Sequence, residues 1–110
     1  MSANTYNETY FTERGNAYQF AYEKVGGSWR VYVDGQPSYG YRATDSYSTH
    51  RYGLTTRPYI CWTQPLERRK DAEVVAHLWA NGTDTYIATG SFPKPATRGW
   101  FTRVFDWLDI

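Results

Sequence analysis

AYQFAYEKVGGSWRVYVD, residues 17–34, decides the fold. Apolar residues alternate with polar ones on both sides of Gly26-Gly27, a pair that supplies the positive φ angles of a tight strand-to-strand turn. Folding the stretch about that turn pairs Lys24 with Trp29, Tyr22 with Val31 and Phe20 with Val33 on one apolar face. The other face pairs Glu23 with Arg30 and Ala21 with Tyr32, so opposite charges meet across the strands. Pattern, turn and charge agree on a single register, and a slip by one residue would exchange the two faces.

Upstream of this hairpin, Thr9 to Glu13 reads as a third strand. A turn at Gly15-Asn16 would set Phe11 against Phe20 on the apolar face. Downstream, residues 35–57 show no sustained period and read as a long connection rich in Tyr, Ser, Thr and Arg. In a compact domain a connection of that length is functional or hides a short strand. Tyr59 to Thr63 then reads as a buried strand, with Ile60 and Trp62 on one face and Tyr59 and Cys61 on the other.

At helical spacing Ala72, Val74, Val75, Ala76, Leu78 and Trp79 share one arc, while Lys70, Glu73, His77 and Asn81 fall opposite. This helix runs over about 66–80, ending at Asn81-Gly82, or over 66–89, ending at Gly90. Continuation is preferred, because Tyr86 returns to the apolar arc and Asp84 to the polar side, although Thr83, Thr85 and Ile87 also suit a strand. A second amphipathic helix is expected over 98–109, capped by Thr97, with Trp100, Phe101, Val104, Phe105, Trp107 and Leu108 on one face. The expected fold is α+β: one domain over 1–110, an antiparallel sheet of three to four strands, and two helices packed on it.

Composition narrows the function classes. Aromatic residues make up 19% of the chain, with 11 Tyr. A buried Tyr needs a partner for its hydroxyl, so several rings are expected at the core boundary or on a binding surface. Cys61 is the sole cysteine, which excludes an intrachain disulfide and suits a reducing compartment. With no signal-peptide pattern at the amino terminus and no apolar run long enough for a bilayer, a cytoplasmic protein with no membrane partner is expected.

The net charge of +1 hides a polarised chain. Residues 39–70 carry six cations and two carboxylates, a net +4, whereas residues 1–38 come to −1 and residues 71–110 to −2. Tyr and Arg are interleaved in the same stretch. Rings can stack on unpaired bases while Arg contacts phosphate, and both residue types are enriched at protein-interface hot spots. The candidate binding residues are Arg42, Tyr47, His50, Arg51, Tyr52, Arg57, Arg68, Arg69 and Lys70. The run Arg68-Arg69-Lys70 stands out because three cations at a helix start oppose the helix dipole unless Asp71 and Glu73 offset them or an anion binds.

Catalytic signatures are weak. Two histidines and one cysteine do not make a zinc motif, a Cys61–His50 nucleophile pair rests on no motif, and no glycine-rich phosphate loop is present. His77 follows Glu73 at helical spacing, which suits a surface pair. The expectation is a small non-catalytic binding or regulatory protein, without cofactor or metal, recognising an acidic partner such as nucleic acid. The alternative is a protein-interaction module, an inhibitor or adaptor, using the same residues; a third is an enzyme acting on a small anionic ligand. Exposed sheet edges leave room for a homodimer through strand pairing.

Overall fold

The computed structural model describes residues 4–60, 62 and 65–93. Five strands form one antiparallel sheet: β1 (Thr5–Phe11), β2 (Ala17–Val25), β3 (Ser28–Gly35), β4 (Arg51–Leu54) and β5 (Arg57–Ile60). Their spatial order is β1-β2-β3-β5-β4. A one-turn helix, α1 (Ser46–Thr49), precedes β4, and the long helix α2 (Arg69–Thr89) packs on one face of the sheet. The fold is α+β. The helix expected over 98–109, and residues Cys61 and Thr63 of the expected strand, lie outside the described residues.

The central hairpin has the register its sequence dictates. Phe20 pairs with Val33, Tyr22 with Val31, Glu23 with Arg30 and Lys24 with Trp29. Gly26 (φ 60°) and Gly27 (φ 88°) form the turn, both in the left-handed region that favours glycine.

The first strand departs from expectation. It starts at Thr5, not Thr9, and Phe11 pairs with Ala17 while Glu8 lies opposite Phe20. The connection is a five-residue turn, Thr12 to Asn16, closed by the Thr12 N–H on the Asn16 carbonyl (2.9 Å) and the Gly15 N–H on the Thr12 carbonyl (2.9 Å). A register displaced by an odd number of residues reverses the faces. Phe11 therefore points away from the core and is 64% exposed, and Tyr6, Glu8 and Tyr10 turn toward the helix.

The sheet also has more strands than expected. The connection over residues 35–57 contains α1 and β4, and β4 forms a second hairpin with β5, pairing Arg51 with Ile60, Tyr52 with Tyr59 and Leu54 with Arg57. Gly53 opposite Pro58 hides this hairpin from the sequence, because both residues are poor strand formers.

Helix α2 takes the longer form. It runs through Asn81-Gly82 and ends at Gly90 (φ 87°), whose N–H bonds the Tyr86 carbonyl. Gly82 is the seat of Phe92, since a Cβ there would lie 2.5 Å from the ring. On the sheet side, Ala72, Val75, Ala76, Trp79 and Ala80 close over Tyr18, Phe20, Tyr22, Trp29 and Val31. Trp79 is wholly buried, stands edge-on to Tyr18 and Phe20, and donates its indole N–H to the Thr49 carbonyl at 3.0 Å.

The polar side of α2 does not face only water, as the helical pattern suggested. It meets β1 in a seam of paired polar groups. Tyr6 donates to Glu73 (2.7 Å), His77 Nε2 lies 2.9 Å from Glu8, and Asn81 donates to the Tyr10 hydroxyl (2.9 Å). Thr12 and Tyr18 both donate to the buried Asp84 carboxylate, Tyr18 at 2.6 Å. His77 thus pairs with Glu8, not with Glu73. Its ring stacks on Tyr10 at 4.0 Å, and Tyr6 stacks on Tyr22 at 4.4 Å. Burial, followed by the bonds to carboxylates, pushes the Tyr6, Tyr18 and Tyr22 hydroxyls above their ordinary range, so all three stay protonated donors.

Removing the acceptor at the buried end of the seam leaves the Thr12 and Tyr18 hydroxyl protons without their acceptor. Asp84→Ala is therefore expected to lower the unfolding free energy by about 2–4 kcal/mol. Glu73→Ala, at the more exposed end, is expected to cost less than about 1 kcal/mol. Urea titrations of both variants test this; equal losses would refute the ranking.

Candidate binding surface

The nine residues expected to bind a partner are divided among separate parts of the molecule. Arg68, Arg69 and Lys70 lie at the start of α2. Arg42 lies at its other end, about 30 Å away for 21 helical residues. There it donates to the carbonyls of Ile87 (3.0 Å) and Ala88 (3.1 Å), so its guanidinium caps the helix's negative end. Tyr86 reciprocates by donating to the Ala43 carbonyl at 2.7 Å.

Several of these cations are held by partners within the chain. Arg68 forks onto Asp71 at 3.0 and 3.1 Å. The Arg69 guanidinium covers the Tyr6 ring at 3.7 Å and approaches Glu73 at 3.5 Å. Asp71 and Glu73 thus offset the charge at the helix start. Arg51 donates to Gln36 (3.0 Å) and lies over Tyr39. Lys70 is exposed and, among the described residues, makes no ion pair. His50 is only 7% exposed; it ends α1 in a left-handed conformation (φ 57°), its ring edge-to-face with Phe92 at 4.7 Å. Tyr47, on α1, is 71% exposed.

Tyr52 and Arg57 belong to a different surface. The sheet face opposite α2 carries an interlocked group: Tyr52 on β4, Tyr59 and Arg57 on β5, Tyr32 and Arg30 on β3. The pairing of Tyr32 with Tyr59, and of Tyr52 with Tyr59, sets three rings in a row across three strands. Adjacent rings meet edge-to-face at 5.9 Å and 6.2 Å. Arg57 lies over Tyr32 at 3.8 Å and Arg30 over Tyr59 at 4.2 Å. Glu23 holds Arg57 at 2.7 Å, and Asp34 lies 3.6 Å from it. Each guanidinium is pre-set on a ring, so binding would cost it little side-chain entropy.

A groove of about 360 Å³ adjoins this platform, sharing Arg30, Tyr52 and Tyr59 with it and adding Trp29, Trp62 and Leu66. The platform needs Gly53: with φ at 90° and no Cβ, it lets the Tyr59 ring approach where a methyl group would lie 2.8 Å from it. Sequence reasoning named Tyr52 and Arg57 but missed Arg30, Tyr32 and Tyr59. The polar face of the central hairpin already contained two of the three, but only the adjacency of β3 and β5 joins them to the others.

Among the described residues no group of three His, Cys, Asp or Glu side chains could hold a metal ion, and no helix is long and apolar enough to cross a membrane. Comparison with protein-family models, curated proteins and solved structures found no match to this chain.

Burial holds the His50 imidazole below its ordinary pKa of 6.5. Between the two values the unfolded chain binds a proton that the folded chain refuses, so stability is full above the ordinary value and falls as the pH drops through the window below it. His50→Asn keeps a residue that tolerates the left-handed conformation. Its unfolding free energy is expected to decline less steeply than wild type from about pH 7 to about pH 5, checked by urea titration at each pH; parallel profiles would refute the role of His50.

Proposed function

We propose that this chain is a small non-catalytic binding protein whose Tyr/Arg platform takes a partner protein presenting carboxylate and apolar side chains. The observation that supports this reading is the pre-set stack of Arg30 on Tyr59 and Arg57 on Tyr32, beside an aromatic groove. Tyr and Arg held rigid at the centre of a patch are the usual anchors of protein interfaces. The guanidinium edges would bond a carboxylate of the partner, and the groove would accept an apolar side chain.

Nucleic acid is the second reading, supported by the same rings and guanidinium planes. The local charge favours protein over nucleic acid. Glu23 and Asp34 balance Arg30 and Arg57 on the platform, and Arg42, Arg51, Arg68 and Arg69 are engaged within the chain. Phosphate backbones call for a surplus of free cations.

Affinity capture from host lysate separates the two. Tyr59→Ala and Arg30→Ala are each expected to weaken capture of a specific protein roughly 10- to 30-fold or more, as central anchors do, with little change on adding salt. An identical set of captured proteins from wild type and both variants would remove the platform from consideration. Oligonucleotide binding that both variants lose, and that falls steeply with salt, would move the assignment to nucleic acid.

A further inference from the structure

One edge of the sheet is built to pair with another strand. In an antiparallel ladder the backbone groups of successive residues point alternately toward and away from the neighbouring strand. The Lys24 N–H bonds the Asn4 carbonyl at 2.8 Å, so Asn4 faces β2, and by alternation Tyr6, Glu8 and Tyr10 do too. Thr5, Asn7, Thr9 and Phe11 therefore aim their N–H and C=O groups outward from the edge of the sheet. Among the described residues no strand pairs with that edge.

Unguarded edges are normally shortened, bulged, charged or interrupted by proline. The opposite edge follows that rule: β4 has four residues, and Gly53 breaks its regularity at φ 90°. The β1 edge does not. It runs seven residues without proline, and its register with β2 is unbroken. The side chains beside the outward backbone groups are Thr5, Asn7, Thr9 and Phe11, all exposed and all uncharged. The one charged residue of the strand, Glu8, is turned inward and held by Tyr22 and His77.

We infer that β1 pairs antiparallel with β1 of a second copy of this chain, with Thr9 on the two-fold axis, making one continuous ten-stranded sheet. The row of outward groups is its own complement, because a two-fold rotation brings each donor to an acceptor. Its uncharged side chains place no like charges together. Three registers keep outward residues opposite one another near the strand centre. A two-fold at Glu8 sets two carboxylates face to face. A two-fold at Asn7 leaves Phe11 at the end of the ladder. With the two-fold at Thr9, Glu8 of one copy lies opposite Tyr10 of the other, and Phe11 opposite Asn7, which covers the exposed ring. Residues 7, 9 and 11 of each copy then form three hydrogen-bonded pairs, about six backbone bonds in all.

This inference is independent of the platform, which lies across the sheet toward β4. Sedimentation velocity of the full chain over a concentration series tests it. Wild type is expected to dimerise reversibly. Thr9→Lys, on an exposed outer position, is expected to raise the dissociation constant at least ten-fold while circular dichroism and partner capture stay unchanged. In a Cys61→Ser background, Thr9→Cys is expected to form an intermolecular disulfide under mild oxidation, because the two Cα atoms lie about 5.5 Å apart at a hydrogen-bonded pair. Asn7→Cys is expected not to. A wild type that stays monomeric throughout the series, or Asn7→Cys linking as readily as Thr9→Cys, would overturn the proposal.

Discussion

The polar seam between β1 and α2 fixes the position of the helix on the sheet. Two residues of strand advance about 6.8 Å and four residues of helix about 6.0 Å. Tyr6, Glu8 and Tyr10 therefore stay in step with Glu73, His77 and Asn81 along parallel-running elements. Each four-residue step overshoots a full helical turn by about 40°, and the final three-residue step to Asp84 brings the row back. The apolar contacts of Trp79 and its neighbours are non-directional and would tolerate some sliding. The seam is directional, and a displacement of one helical turn would leave several half-buried groups without partners. With the helix fixed there, the opposite sheet face stays uncovered by α2, and the platform can form on it.

The tyrosines show how an aromatic-rich chain builds a core without many aliphatic residues. Tyr6, Tyr10, Tyr18 and Tyr22 supply apolar area toward the sheet and lodge their hydroxyls in the seam. Tyr32, Tyr52 and Tyr59 form a second aromatic layer on the other face. One residue type thus serves as core filler on one side and as interface candidate on the other. What separates the roles is the parity of each position along its strand.

Charge follows a similar logic. The positive run over residues 39–70 looks like one basic patch when counted along the chain. In the folded molecule most of it is consumed locally: Arg42 caps a helix end, Arg51 rests on Tyr39, Arg57 is held by Glu23 and Asp34, and Arg68 and Arg69 meet carboxylates one helical turn on. Counting charge over a segment assumes that its neighbours in sequence are its neighbours in space. Here the elements after Gly35 disperse it over two helix ends and two sheet faces.

The sequence by itself determined the central hairpin, its register and its turn, because cross-strand pairing within a hairpin is local and Gly26-Gly27 leaves few alternatives. It favoured the longer helix to Gly90 without deciding it, because the apolar period resumes at Tyr86 while Thr83, Thr85 and Ile87 suit a strand as well. It could not place β1, whose register depends on how many residues the Thr12–Asn16 turn consumes. Nor could it reveal β4, where Gly53 and Pro58 mask the strand pattern. Only the tertiary structure decided that β5 lies beside β3, which assembles Arg30, Tyr32, Tyr52, Arg57 and Tyr59, residues spread over 30 positions, into one surface. Pairing between distant strands is settled by the burial and hydrogen bonding of the whole sheet, and no local pattern of residues encodes it.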